Sequence, residues 1–321
     1  MWSSRPLPAT RRRSRCCWPR ARRPPRGRRQ TLLDAIDRVP ASAVATRTEL
    51  TALCAAAEHW LGRHDEAHRR LLRAWDELPD HESAEAAVVQ IELAVDGMYE
   101  LDFDQTIRMG RGALEVARRL GDGPLIAAAA SALALGEAAS GRSADARGHR
   151  DEAVTRLEQL TDAELAPRLE ALFYLGWAEN YLERYDDAIA HAQRGISIAR
   201  ATGEGRLLVP MMLVQGYPFE MQGRLAEARE MCDSAVEIAR LAAHPHYLFW
   251  ALFELGWAHY FAGELEAATA ACEESLRVGG RLVRGTMPSA GGGPGWALAV
   301  CRFEAGDPDA MMATMRELGD E

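Results

Sequence analysis

The chain has 321 residues, 48% of them hydrophobic, which suffices for one large core or two ordinary ones, and all 38 of its basic residues are arginine. Without lysine it cannot supply the ammonium that a Walker A phosphate loop, a Schiff-base enzyme or a protein kinase requires, so those classes are excluded. The net charge of −9 hides a split: residues 1–30 hold 11 arginines and no acid, while the rest carries 27 arginines against 47 acids, a body that should repel nucleic acid and anionic membrane.

Residues 1–30 (MWSSRPLPATRRRSRCCWPRARRPPRGRRQ) combine those arginines with five prolines and show no apolar periodicity. Such a segment cannot bury enough apolar surface to offset its ordering entropy, so a disordered arm is expected. Two readings of it stay open: a basic arm that associates weakly with nucleic acid, or a non-native start read from GC-rich upstream sequence. No apolar run of signal-peptide type follows the positive stretch, and none is long enough to span a bilayer. Six cysteines in a chain this long make no disulfide framework, which fits a reducing cytoplasm.

From Thr31 to the end the pattern is helical throughout, with no strand alternation, and it repeats. The segment LFYLGWAENYLERYDDAIAHAQRGISIA (172–199) aligns without a gap to LFELGWAHYFAGELEAATAACEESLRVG (252–279), with a third copy at 212–239. The period is therefore 40 residues, and extending the register gives about seven helix A–turn–helix B units over residues 41–318. A turn position followed five residues later by a small residue recurs as Gly62/Ala67, Leu101/Thr106, Gly141/Ala146, Glu183/Ala188, Gly223/Ala228 and Gly263/Ala268, and a last, shorter copy has Gly306/Ala310. Ala55, Ala94, Ala134, Gly176, Gly216 and Gly256 sit about seven residues before those turns, where two helices must approach closely. Pro79, Pro124, Pro167, Pro210, Pro245, Pro288 and Pro308 fall at junctions, where a missing N–H costs little. Pro218 falls inside a helix A, and a kink is expected there.

The units LGWAENYLERYDDAIAHAQRGI (Gly176, Tyr185, Ala188, Gly195) and WLGRHDEAHRRLLRAWDELP (ending at Pro79) resemble the tetratricopeptide repeat, lengthened from its usual 34 residues. The longer period is similar to the repeat region of the large ATP-binding LuxR-type, MalT-like, transcriptional regulators of actinobacteria. The resemblance implies an all-α, right-handed superhelical solenoid over residues 31–321, with a role in signalling or transcriptional control. Those regulators carry an ATPase before the array and a helix-turn-helix after it, and neither motif occurs in this sequence.

No catalytic constellation stands out. His64 and His68 have i, i+4 spacing able to hold a metal, but His64 also occupies a packing slot filled by Phe103, Tyr185, Leu225 and Leu265 elsewhere, so no metal and no cofactor are expected. His244 and His246 flank Pro245 and read as loop residues. Cys232 and Cys272 share a slot in neighbouring units, and equivalent helices at about 8–10 Å put them too far apart for a disulfide. What exceeds background is aromatic. With helix A lining the concave face, the exposed register there holds Phe173, Trp177, Asn180 and Tyr181, then Leu213, Tyr217 and Glu220, then Trp250, Phe253, Trp257, Tyr260 and Phe261. Trp177, Tyr217 and Trp257 share one slot and should form one stripe along a groove. Either these rings bind a protein or peptide partner or a small effector, or they pack bulky A helices together; an enzyme using Glu, His and Arg in the groove is the remaining alternative.

Overall fold

The structure, a computed structural model, describes residues 25–61, 63–100, 102–279 and 292–319. The arm residues 1–24, the turn positions Gly62 and Leu101 and the junction residue Pro288 lie outside the described residues. Sixteen α-helices and no strand are found among the described residues. Helix α1 (Pro25–Arg38) precedes the first pair. The A helices are α2 (Val44–Trp60), α4 (Ala84–Tyr99), α6 (Gly123–Ala139), α9 (Glu170–Tyr181), α11 (Leu208–Met221), α13 (Pro245–Phe261) and α15 (Gly292–Glu304). Their B partners are α3 (His64–Asp76), α5 (Phe103–Leu120), α7 (Ser143–Gln159), α10 (Tyr185–Thr202), α12 (Leu225–Leu241), α14 (Leu265–Gly279) and α16 (Pro308–Gly319). A short helix α8 (Asp162–Leu165), opened by a Thr161–Glu164 capping box, takes up the extra length between the third and fourth pairs.

The two helix types bury themselves differently. In α6 every residue from Leu125 to Ala138 is buried, because an A helix is flanked by neighbours on both sides. B helices such as α10 bury one stripe only, here Ala188, Ala192, Gly195, Ile196, Ile198 and Ala199. One apolar core runs continuously from Ala52 on α2 to Ala271 on α14.

The repeat register is the packing register. Ala67, Thr106, Ala146, Ala188, Ala228 and Ala268 all have no solvent exposure. A Cβ added at Gly176 would lie 2.3 Å from Val214 Cγ1, and one at Gly256 2.6 Å from Cys272 Sγ, so a methyl group there would overlap the neighbouring helix. The turns share one closure: Arg142 N–H donates to Glu137 O, Arg184 to Glu179 O and Arg224 to Phe219 O, each at 2.8 Å. The residue that makes this possible is left-handed, with φ 79° at Gly141 and 71° at Gly223, and even Glu183 adopts it at 57°.

One expectation changes. Helix α1 begins at Pro25, so the arm boundary expected at residue 30 moves back. Arg29 lies 2.8 Å from the fully buried Glu58 carboxylate; a run of arginines conceals that one of them is a counter-ion in the packed array. Helix α11 runs through Pro218. Proline has no N–H for the Val214 carbonyl four residues earlier, and Asn180 Nδ2 on α9 donates to that carbonyl instead at 3.1 Å. Asn180, the only asparagine in the chain, thereby satisfies the acceptor the proline orphans.

Candidate binding groove

The aromatic residues converge from the A helices. Trp177 lies 6.3 Å from Tyr181 and 5.9 Å from Tyr217, centroid to centroid, which joins α9 to α11. On α13 a chain of edge contacts runs from Trp250 to Phe253 (5.8 Å), Trp257 (6.4 Å) and Tyr260 (5.5 Å). Trp257 also stacks on Phe261 and reaches Trp296 on α15 at 5.7 Å. No ring contact joins Tyr217 to Trp257 among the described residues, so the expected stripe is two groups of rings on successive helices.

Burial sorts them. Tyr181 and Trp296 are each 54% exposed and Phe261 is exposed. Phe173, Trp177, Tyr217, Trp250, Phe253, Trp257 and Tyr260 are half-buried, with Phe173, Trp177 and Trp250 resting on the main core and Phe253 and Trp257 on a C-terminal one. Asn180, placed on the concave surface from its register, is instead 2% exposed and belongs to the wall. Sequence reasoning missed Trp296, which follows a glycine-rich stretch without a readable register.

The opposite end of the A-helix face is closed by the chain itself. His59 and His64 face each other through their Nδ1 atoms at 2.9 Å, Tyr99 stacks on both, and His246 of α13 comes within 6.4 Å of Tyr99. His246 lies within α13, 3% exposed, and so is not a loop residue, whereas His244 stays in the junction and caps that helix by accepting from Tyr247 N–H. His68, the other member of the i, i+4 pair, turns to Asp96 at 2.5 Å instead of joining His64. Among the described residues no three His, Cys, Asp or Glu side chains are arranged to hold a metal ion.

Burial, more than neighbouring charge, sets the titration of these groups. It lowers His64 and His244 to about 4 and His246 to about 3, and raises Glu92, on α4, to about 7. A buried neutral histidine stabilises fully above its unfolded value near 6.5, and that contribution is lost as pH falls toward the folded value. His246→Phe should accordingly gain stability relative to the parent chain as pH falls from about 6.5 to about 4. Melting temperatures measured across that range would show a constant difference if His246 were protonated in the fold.

A second electrostatic pattern is repeated. Glu58, Glu137 and Glu179, all fully buried, sit four residues before their turn positions, and each is held by a base twelve residues on: Arg70 at 2.8 Å, His149 at 2.7 Å and His191 at 2.8 Å. Each also receives an arginine from the preceding helix, from Arg29, Arg111 and Arg150 at 2.8, 3.2 and 2.7 Å. Helix α1 thus takes the place a B helix takes before each later unit. The buried thiols Cys54, Cys232, Cys272 and Cys301 are free. A cleft of about 550 Å³ lies away from the rings, between α12 and α14, lined by Glu237, Arg240, Leu241 and Glu274 among others.

These features define an all-α, tetratricopeptide-like helical-repeat array. No protein-family model and no curated protein matches the sequence. Among solved structures, the Rap protein in complex with Competence and Sporulation Factor superposes with a TM-score of 0.61 at 13% identity, covering 87% of this chain and 76% of that one. NprR in complex with its cognate peptide NprX gives 0.55 at 12% identity, over 92% and 77%. BtubC (BKLC) from P. vanneervenii gives 0.53 at 18%, over 68% and 90%. At these identities the likeness concerns the fold. No helix among the described residues is long and apolar enough to cross a membrane.

Proposed function

We propose that the chain is a non-catalytic binding module that holds a peptide or protein segment against the aromatic A-helix face from α9 to α15. The observation that carries this reading is the exposure of Tyr181, beside half-buried Trp177 and Tyr217, and of Phe261 and Trp296, beside half-buried Trp257, because large rings left at the surface of a well-packed array are typical binding anchors. Two neighbours in fold, the Rap protein and NprR, were solved with Competence and Sporulation Factor and with a cognate peptide, which supports a partner of the same kind here. The resemblance of the 40-residue units to LuxR-type regulators supports a place in transcriptional control within the cytoplasm.

The test is a random peptide library displayed on phage. Peptides enriched on the full chain should bind Trp177→Ala and Trp257→Ala at least about tenfold more weakly. Each substitution should cost well under the roughly 3–5 kcal/mol of a fully buried tryptophan. Equal binding by both variants, or collapse of the fold in both, would show that the rings are packing elements.

A further inference from the structure

Among the described residues most buried carboxylates have a basic partner; Glu92 makes no ion pair but has Arg206 and Arg168 nearby, whereas Glu220 and Glu254 have neither. Glu58, Glu137 and Glu179 each have two, and Asp96 has His68. Glu220 on α11 and Glu254 on α13, each 6% exposed, form no ion pair with any described residue, and Glu220 Oε1 has no hydrogen-bond partner at all. The repeat register explains why they meet. Glu220 is one period after Asn180 and Glu254 one period after Val214, the residues joined by the 3.1 Å bond across α9 and α11. Asparagine can donate to the neighbouring helix at that slot; an ionised glutamate can only accept.

We propose that Glu220 and Glu254, beside Trp177, Tyr181 and Tyr217, form a subsite for the cationic side chain, arginine or lysine, of the bound peptide. The subsite rests on the groove reading above. The chain supplies two acids and no base at this point, so a guanidinium or ammonium from outside would complete the arrangement that Arg150 completes at Glu179. Trp177, Tyr181 and Tyr217 provide ring faces for a cation, and Tyr181 is 54% exposed. The strongly acidic body draws a basic partner toward it.

Without a cation the pair holds on to a proton: burial, then the neighbouring Glu254, raises Glu220 well above the usual carboxylate range, and burial raises Glu254 as well. The titratable groups that face them are Tyr181 from α9, Tyr217 from α11 and Cys232 from α12, all themselves raised chiefly by burial and so uncharged at neutral pH. Binding a cation should therefore release protons at pH 7.

The experiment uses the full chain and a short alanine peptide with one central arginine, compared with the same peptide carrying neutral citrulline and with capped arginine alone. Calorimetry in buffers of different ionisation enthalpy reads affinity and proton release together. The arginine peptide should bind at least about tenfold more tightly than the citrulline peptide and release protons. Glu220→Gln/Glu254→Gln should erase that difference while keeping the melting temperature at pH 7 or raising it. If both peptides bind equally and Trp177→Ala weakens both, the groove stands and the subsite is wrong. If capped arginine binds as well as the arginine peptide, the subsite takes a small cation and the peptide reading falls. No binding of either peptide up to about 10 mM overturns both.

Discussion

Replacing Arg150 with methionine should lower the stability of the array by about 3–5 kcal/mol, the cost of leaving a buried carboxylate without its partner. The arginine, with a side chain 11% exposed, spans from α7 to α9 and bonds Glu179 through Nε at 2.9 Å and Nη2 at 2.7 Å, then reaches Asp187 on α10 at 2.6 Å. Its removal leaves Glu179 to His191 alone, in a site with no access to water. Adding Glu179→Gln removes the stranded charge and should recover most of the loss, whereas Glu179→Gln in the parent chain should be much milder than Arg150→Met. Urea unfolding followed by circular dichroism separates the outcomes. A loss below about 1 kcal/mol, typical of exposed ion pairs, would mean that the bridge is a surface decoration.

Gly97→Ala should be comparably damaging for a different reason. Gly97 closes on the start of α5, where an added Cβ would lie 2.7 Å from Thr106 Oγ1, 2.8 Å from Asp102 O and 3.0 Å from Thr106 N. Two of those three atoms are backbone and cannot rotate away, so α4 and α5 must separate, at a cost of about 3 kcal/mol. The exposed Gly148, in the middle of α7, has nothing within 4 Å of the same position. There alanine should stabilise by about 1 kcal/mol through helix propensity alone. Melting temperatures that move together in the two variants would show that close approach does not govern Gly97.

The sequence carried the fold because the constraint that builds it is local. Gly176, Ala188 and their equivalents must be small wherever a hairpin closes, so the period is written in residue size. The electrostatic repeat was equally periodic, with Glu58/Arg70, Glu137/His149 and Glu179/His191 each twelve residues apart. It stayed hidden because charged residues on helices are ordinarily solvated, and only packing reveals that these acids are buried. Trp177, Tyr217 and Trp257 could be placed on one helix face from register alone. Whether their rings meet depends on the angle between successive units, which no single unit encodes. The neighbourhood of Glu220 and Glu254 follows the same register, one period beyond Asn180 and Val214.

The meeting of His246 with Tyr99 changes what kind of object this array is. In an open repeat array each unit answers only to its neighbours, so units can be gained or lost with little consequence elsewhere. Here a helix of the sixth pair touches one of the second, and the contact survives only if the intervening units accumulate the right total rotation. Duplicating or deleting one of them would misplace His246 by a whole unit and open the closed end. The second and sixth pairs are thus coupled through space as well as along the chain, so that a change in the rotation of any unit between them is felt at both ends of that contact.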